Sequence, residues 1–152
     1  ICAADITLRE LVAADLPAAR ALDAAALGAP RNELIDAVWQ SSGRGIAALQ
    51  GGQLSGFALL RAAGHGTTIG PVIADDETLA ARIAAKAIET AAASAANAIV
   101  RFDIPASASL LARQLEQSGL RCVDRVTLMR RGEPLPADPH VQRFGLVSQA
   151  FG

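Results

Sequence analysis

The chain predicts an α+β fold, with a mixed, mostly antiparallel sheet flanked by helices. Three observations lead there. Gly51-Gly52 stands between two apolar runs, 46–49 and 54–60. Paired glycines supply the positive φ angles of a tight hairpin turn, so these runs read as antiparallel partners. A third β-type run, 69–73, then hands over directly to an alanine-rich helical segment, roughly 76–96. A further strand, 99–104, follows that helix, and a meander feeding one helix and one more strand makes a mixed sheet rather than a doubly wound one.

The elements follow in order. Ile6-Thr7-Leu8-Arg9 alternates apolar and polar and reads as a first strand. Asp15 caps a helix, Pro17 fits its first turn, and Gly28 stops it. Pro30 opens a second helix that places Leu34, Ile35, Val38 and Trp39 on one face, and Ser42-Gly43 ends it. Gly64-His65-Gly66 turns the hairpin into the third meander strand. In the long helix Leu79, Ile83 and Ala87 form one stripe with Ile88 beside it, and Asn97 closes it. Alternation along 99–104 puts Ile99, Arg101 and Asp103 on one side and Val100, Phe102 and Ile104 on the other. Pro105 breaks that strand. Ser107 or Ser109 starts another helix with Leu110, Leu111 and Leu115 inward, and Gly119 ends it. Strands at 120–123 and 126–130 are expected next, then a proline-rich tail over 132–139 and an edge strand at 144–147.

At 152 residues and 15.6 kDa the chain is expected to form one domain, 1–152, with a core that needs no metal or disulfide. Hydrophobic residues make up 51% and aromatic ones 3%, so the core is expected from Leu, Ile and Val, with alanine-faced helices lying close to the sheet. The net charge is −1, and the arginines are scattered, with Lys86 the sole lysine. That balance gives no footing for nucleic acid or an anionic membrane. Cys2, at a terminus, and Cys122, read as a strand residue, make neither a disulfide framework nor a metal site, which points to a reducing, cytoplasmic setting. No run approaches 18 apolar residues and no basic region precedes an apolar stretch, so neither a membrane span nor a signal peptide is expected. There is no Ser/His/Asp order, metal-spaced cluster or P-loop to support nucleophilic or metal chemistry.

The element order resembles the GNAT acyltransferase fold along nearly the whole chain. Local wording is similar too: 28–31 before the second helix, Gly56-Phe57-Ala58 then Arg61 on the third strand, and Ile69-Gly70-Pro71-Val72-Ile73-Ala74-Asp75 on the fourth. These resemble a subgroup found as the C-terminal acetyltransferase domain of tandem proteins, which implies a second GNAT domain or a homodimer partner. The resemblance implies a central sheet splayed between strands four and five, with acetyl-CoA as co-substrate in the gap. Its pantetheine would pair with the backbone of Val72 and Ile73, and its diphosphate would sit on the helix start around Thr78 and Leu79. Arg31, on the acceptor wall, would bind a carboxylate of a small amine substrate. The implied reaction is direct attack of the amine on the thioester, which needs a base, an oxyanion donor and an acid for the thiolate.

The chain departs from that pattern at three places. Ala74-Asp75-Asp76-Glu77-Thr78 stands where the glycine-rich phosphate loop is expected, and each carboxylate near a diphosphate opposes it by roughly 1 kcal/mol. There is no tyrosine, and Leu115 falls where the family's acid often stands. Serines 107 and 109 replace an asparagine. No catalytic residue is therefore assigned.

Two readings of several residues stand side by side. Asp75 and Asp76 either hold a substrate ammonium or cap the helix and complement its dipole. His65 is either a base folded over the cleft or an exposed turn residue, and His140 lies in the tail. Trp39 shares the core face of its helix, and Arg101 with Asp103 forms a polar pair on an exposed face. Function divides in the same way. The first reading is an acyl-CoA-dependent N-acetyltransferase. The alternative is a degenerate GNAT-fold module that serves interaction or regulation beside an active domain.

Overall fold

A computed structural model describes residues 5–94 and 99–151; Cys2 and Asn97 lie outside the described residues. Strand β1 (Ile6–Glu10) leads through a 3-10 turn (Ala13–Asp15) to helices α1 (Leu16–Leu27) and α2 (Asn32–Ser42). The meander β2 (Arg44–Gln50), β3 (Gln53–Ala63) and β4 (Gly66–Ala74) feeds helix α3 (Glu77–Ala92). Strand β5 (Ile99–Phe102), helix α4 (Ser109–Gln117) and strand β6 (Gln142–Gly145) complete the elements.

The sheet runs β1-β2-β3-β4-β5 with β6 also on β4. Every pairing is antiparallel except β4 with β5, which is parallel. The fold is thus the mixed α+β one expected. The β2–β3 turn uses Gly51 and Gly52 at φ 58° and 80°, left-handed values that a side chain would strain.

Two apolar layers sandwich the sheet. Ile46, Ala58, Leu60, Ile69 and Val72 face α3 and α4, while Ala47, Phe57, Leu59 and Ile73 face α1 and α2. The α3 side meets the sheet through Ala80, Ala84, Ala87 and Ala91, all at most 1% exposed. Their lack of bulk lets the helix lie close. Ile35 and Val38 are buried with Leu34 and Trp39 packed against the same layer, the face that the spacing predicts.

Three expectations are corrected. Residues 120–130 form no strands, and Cys122 is exposed. Val123 is 88% and Leu128 70% exposed, so a pair of strands there would bury too little apolar surface to offset backbone ordering. The strand expected over 144–147 starts and ends two residues earlier, at Gln142–Gly145, and pairs with β4. Neither Ser107 nor Ser109 caps α4 through its hydroxyl. The Glu77 carboxylate does that work, accepting from Leu111 N at 2.9 Å.

Candidate functional site

The site is built where β4 loses its parallel partner. Pairing of β4 with β5 spans Gly66↔Ile99 to Ile69↔Phe102 and then stops. Beyond it the two strands splay. The segment after the proline-rich tail enters this gap: Gly145 pairs with Val72, Arg143 with Ile73 and Gln142 with Ala74. On the β5 side, Leu146 N donates to Asp103 O at 2.7 Å.

The chain is shaped for this insertion. A Cβ on Gly70 would overlap Leu146 O, and one on Gly145 would lie 2.7 Å from Val72 Cγ2. Phe144 is buried in the α3–α4 layer and Val147 in the α1–α2 layer. The segment 142–147 therefore pins both faces of the sheet at the splay.

Val72 and Ile73 are fully buried, with their main chains engaged by β6. Asp76 is the N-cap of α3, its Oδ1 accepting from Leu79 N at 2.7 Å. The capping reading of Asp76 thus has its hydrogen bond, while Asp75 is exposed in the same turn. Thr78 is exposed and lines a groove of about 330 Å³ between α3 and α4, with Arg82, Leu111 and Gln114 among its walls. The structure brings Val72, Ile73, Thr78 and Leu79 to one end of the splay. In this conformation β6 pairs with the backbones of Val72 and Ile73, and the Asp76 carboxylate holds the Leu79 amide.

Arg31 stands apart from that row. Its Nε and Nη2 donate to Asp23 Oδ2 and Oδ1 at 2.7 and 2.8 Å, and its Nη1 donates to Phe151 O at 3.0 Å. Asp23 is 1% exposed and Arg31 11%, so this is a buried bidentate pair. Arg143 lies near it, its pKa drawn down from the ordinary arginine value by burial and by the Arg31 charge. Asp23 was absent from the sequence candidates. Its signal is readable: it follows Leu16 and Ala19 on the buried stripe of α1, where an acid needs a cation.

A cavity of about 410 Å³ opens on the α1–α2 face of the sheet, lined by Arg61, Thr67, Thr68, Arg101, Asp103 and Ser148, among others. Arg101 and Asp103 pair across it at 3.0 Å. His65 is exposed in the β3–β4 turn. Among the described residues no three metal-ligating side chains cluster, and no helix is long and apolar enough to cross a membrane.

This geometry, a parallel β4–β5 pair that splays ahead of a helix start, agrees with the family comparison. The family model described as "Acetyltransferase (GNAT) domain" matches residues 19–145. The chain belongs to the GNAT family. No curated protein matches it in sequence. Among solved structures, this GNAT domain superposes on a candidate acetyltransferase from Pyrococcus horikoshii with TM-score 0.62 and 10% identity, over 73% of this chain and 42% of that one. It therefore spans less than half of that protein. An aminoglycoside N-acetyltransferase, AAC(6')-Iy, in complex with CoA gives TM-score 0.62 and 14% identity over 84% and 95% of the two chains. A GNAT acetyltransferase from Brucella melitensis in complex with acetyl-CoA gives 0.60 and 16% over 97% and 99%. Identities this low speak for the fold alone. The GNAT fold supports acyl-CoA-dependent N-acetyl transfer in general terms.

Proposed function

We propose that this GNAT domain transfers an acetyl group from acetyl-CoA to a small amine, and that it takes up acetyl-CoA by releasing β6 from β4. The observation carrying this reading is the parting of β4 from β5 after Ile69 and Phe102, at the end of the sheet where α3 begins. With β6 released, the backbones of Val72 and Ile73 are open to a pantetheine chain, and Thr78 and Leu79 stand at the α3 start for the diphosphate. Arg31 supports the acceptor-side wall through its pair with Asp23 and its bond to the Phe151 carbonyl. In the transfer the amine nitrogen attacks the thioester carbon and the C–S bond breaks. The ammonium proton leaves to solvent, and the thiolate takes one up.

A second reading is favoured by specific contacts. β6 is paired in the splay and the Asp76 carboxylate holds the Leu79 amide, while Leu115 is 7% exposed where an acid is expected. On this reading the domain is a degenerate GNAT module that packs beside an active partner, a second GNAT domain or another copy. Calorimetric titration with acetyl-CoA separates the two. Binding at micromolar concentration, about −8 kcal/mol, together with faster amide exchange in residues 142–147, supports the transferase. No heat and no exchange change at millimolar ligand refutes it.

A further inference from the structure

The cavity on the α1–α2 face carries a built recognition surface. Strand register places Arg61 beside Thr68 and Thr68 beside Arg101, one row across β3, β4 and β5. Neighbouring strands lie about 4.8 Å apart, so two guanidinium-bearing residues flank one threonine within about 10 Å of sheet. Thr68 stands in the middle of that row, is 3% exposed and lines the cavity.

Arg61 has five N–H donors. Among the described residues it uses one, Nη2 to Val147 O, at a long 3.5 Å. Arg101 is different, because it spends Nε and Nη2 on Asp103. Asp103 immediately follows Phe102, the last β5 residue paired with β4, so its carboxylate stands at the mouth of the splay. A carboxylate offers about four acceptor positions and Arg101 fills part of them. The cavity thus has an underused cation at the β3 end and an anion at the splay end. With Arg61, Arg101 and Asp103 its formal charge is +1.

We infer that this cavity binds the acceptor, and that the acceptor is an amino-carboxylate. Its carboxylate is held by the Arg61 fork and the Thr68 hydroxyl, and its ammonium is drawn to Asp103 beside the parting of β4 and β5. The assignment as acceptor rests on the acetyltransferase reading; the carboxylate site itself does not.

The test uses three probes of matched length: β-alanine, propionate and n-propylamine. In amide NMR titrations of the wild-type chain, β-alanine and propionate shift Thr68 and Ser148, and n-propylamine does not. Arg61→Gln weakens both carboxylates by about 10- to 100-fold. Arg61→Lys, which keeps the charge but not the fork, falls between. With acetyl-CoA present, β-alanine is acetylated with a kcat/KM at least about tenfold above that of n-propylamine, and Arg61→Gln erases the ratio. Equal shifts from n-propylamine, or no shift from either carboxylate at tens of millimolar, overturn the site. Carboxylate binding lost in Arg61→Gln, with no turnover of any amine, sustains the site and removes the acetyltransferase reading instead.

Discussion

If β6 and CoA compete for the same edge of β4, a substitution that penalises only the docked strand should tighten CoA binding. Gly145→Ala is that substitution. Its methyl would lie 2.7 Å from Val72 Cγ2, 3.0 Å from Val72 Cβ and 3.2 Å from Val72 N, all tighter than ordinary contact. Gly145 has no positive φ, so the new side chain strains nothing once the strand is released. Overpacking of this kind costs about 1–3 kcal/mol. The apparent Kd of a ligand that binds the open form is the intrinsic Kd divided by the open fraction. Weakening the docked form by about 1–3 kcal/mol therefore tightens apparent CoA affinity by about 5- to 150-fold while the open form stays minor. The assay is isothermal titration calorimetry with CoA on both proteins, paired with urea unfolding to read the stability change. A variant that loses stability but binds CoA no better than the parent refutes the competition.

Other consequences follow from the same contacts. Arg31→Met strands the buried Asp23 carboxylate and should cost about 3–5 kcal/mol in urea unfolding, whereas Asp23→Leu with Arg31→Met should recover most of it; additive losses would show that the pair is not coupled. The hydrogen bonds from Arg9, then that from Val12 N, hold the Asp15 carboxyl below its ordinary pKa of 3.8. A depressed pKa gives stability that is full above the ordinary value and fades as pH falls through the folded one. The destabilisation caused by Asp15→Asn should accordingly be larger near about pH 7 than near about pH 2 in paired melts. Leu128→Gln should change stability by less than about 0.5 kcal/mol, because Leu128 is 70% exposed; a larger loss in urea melts would mean that 126–130 packs as a strand.

Much of the fold could be read from local pattern. The Gly51-Gly52 hairpin, the stripe Leu79, Ile83, Ala87, the acidic α3 cap and the Arg101–Asp103 pair each depend on neighbours a few residues apart. Val72, Ile73, Thr78 and Leu79 follow one another from the end of β4 into the start of α3, so their nearness is local as well. What occupies the splay was not legible in the sequence. Residues 120–123, 126–130 and 142–145 all carry strand-like wording, and alternation ranks none of them above the others. The Asp23–Arg31 pair and the row from Arg61 to Arg101 were likewise out of reach, because each joins elements that meet only in three dimensions.

The amino-acid pattern by itself determined the three-strand meander, the long helix and the strand after it, and through them the mixed sheet. The tertiary structure alone decided which segment fills the gap between β4 and β5. Phe144 and Val147 each find a buried place there, on opposite faces of the sheet, and Gly70 and Gly145 allow the backbones to approach. Residues 120–130 find no such burial. Strand wording is a local property, whereas the free energy that selects among competing strands comes from surface removed from water by distant residues.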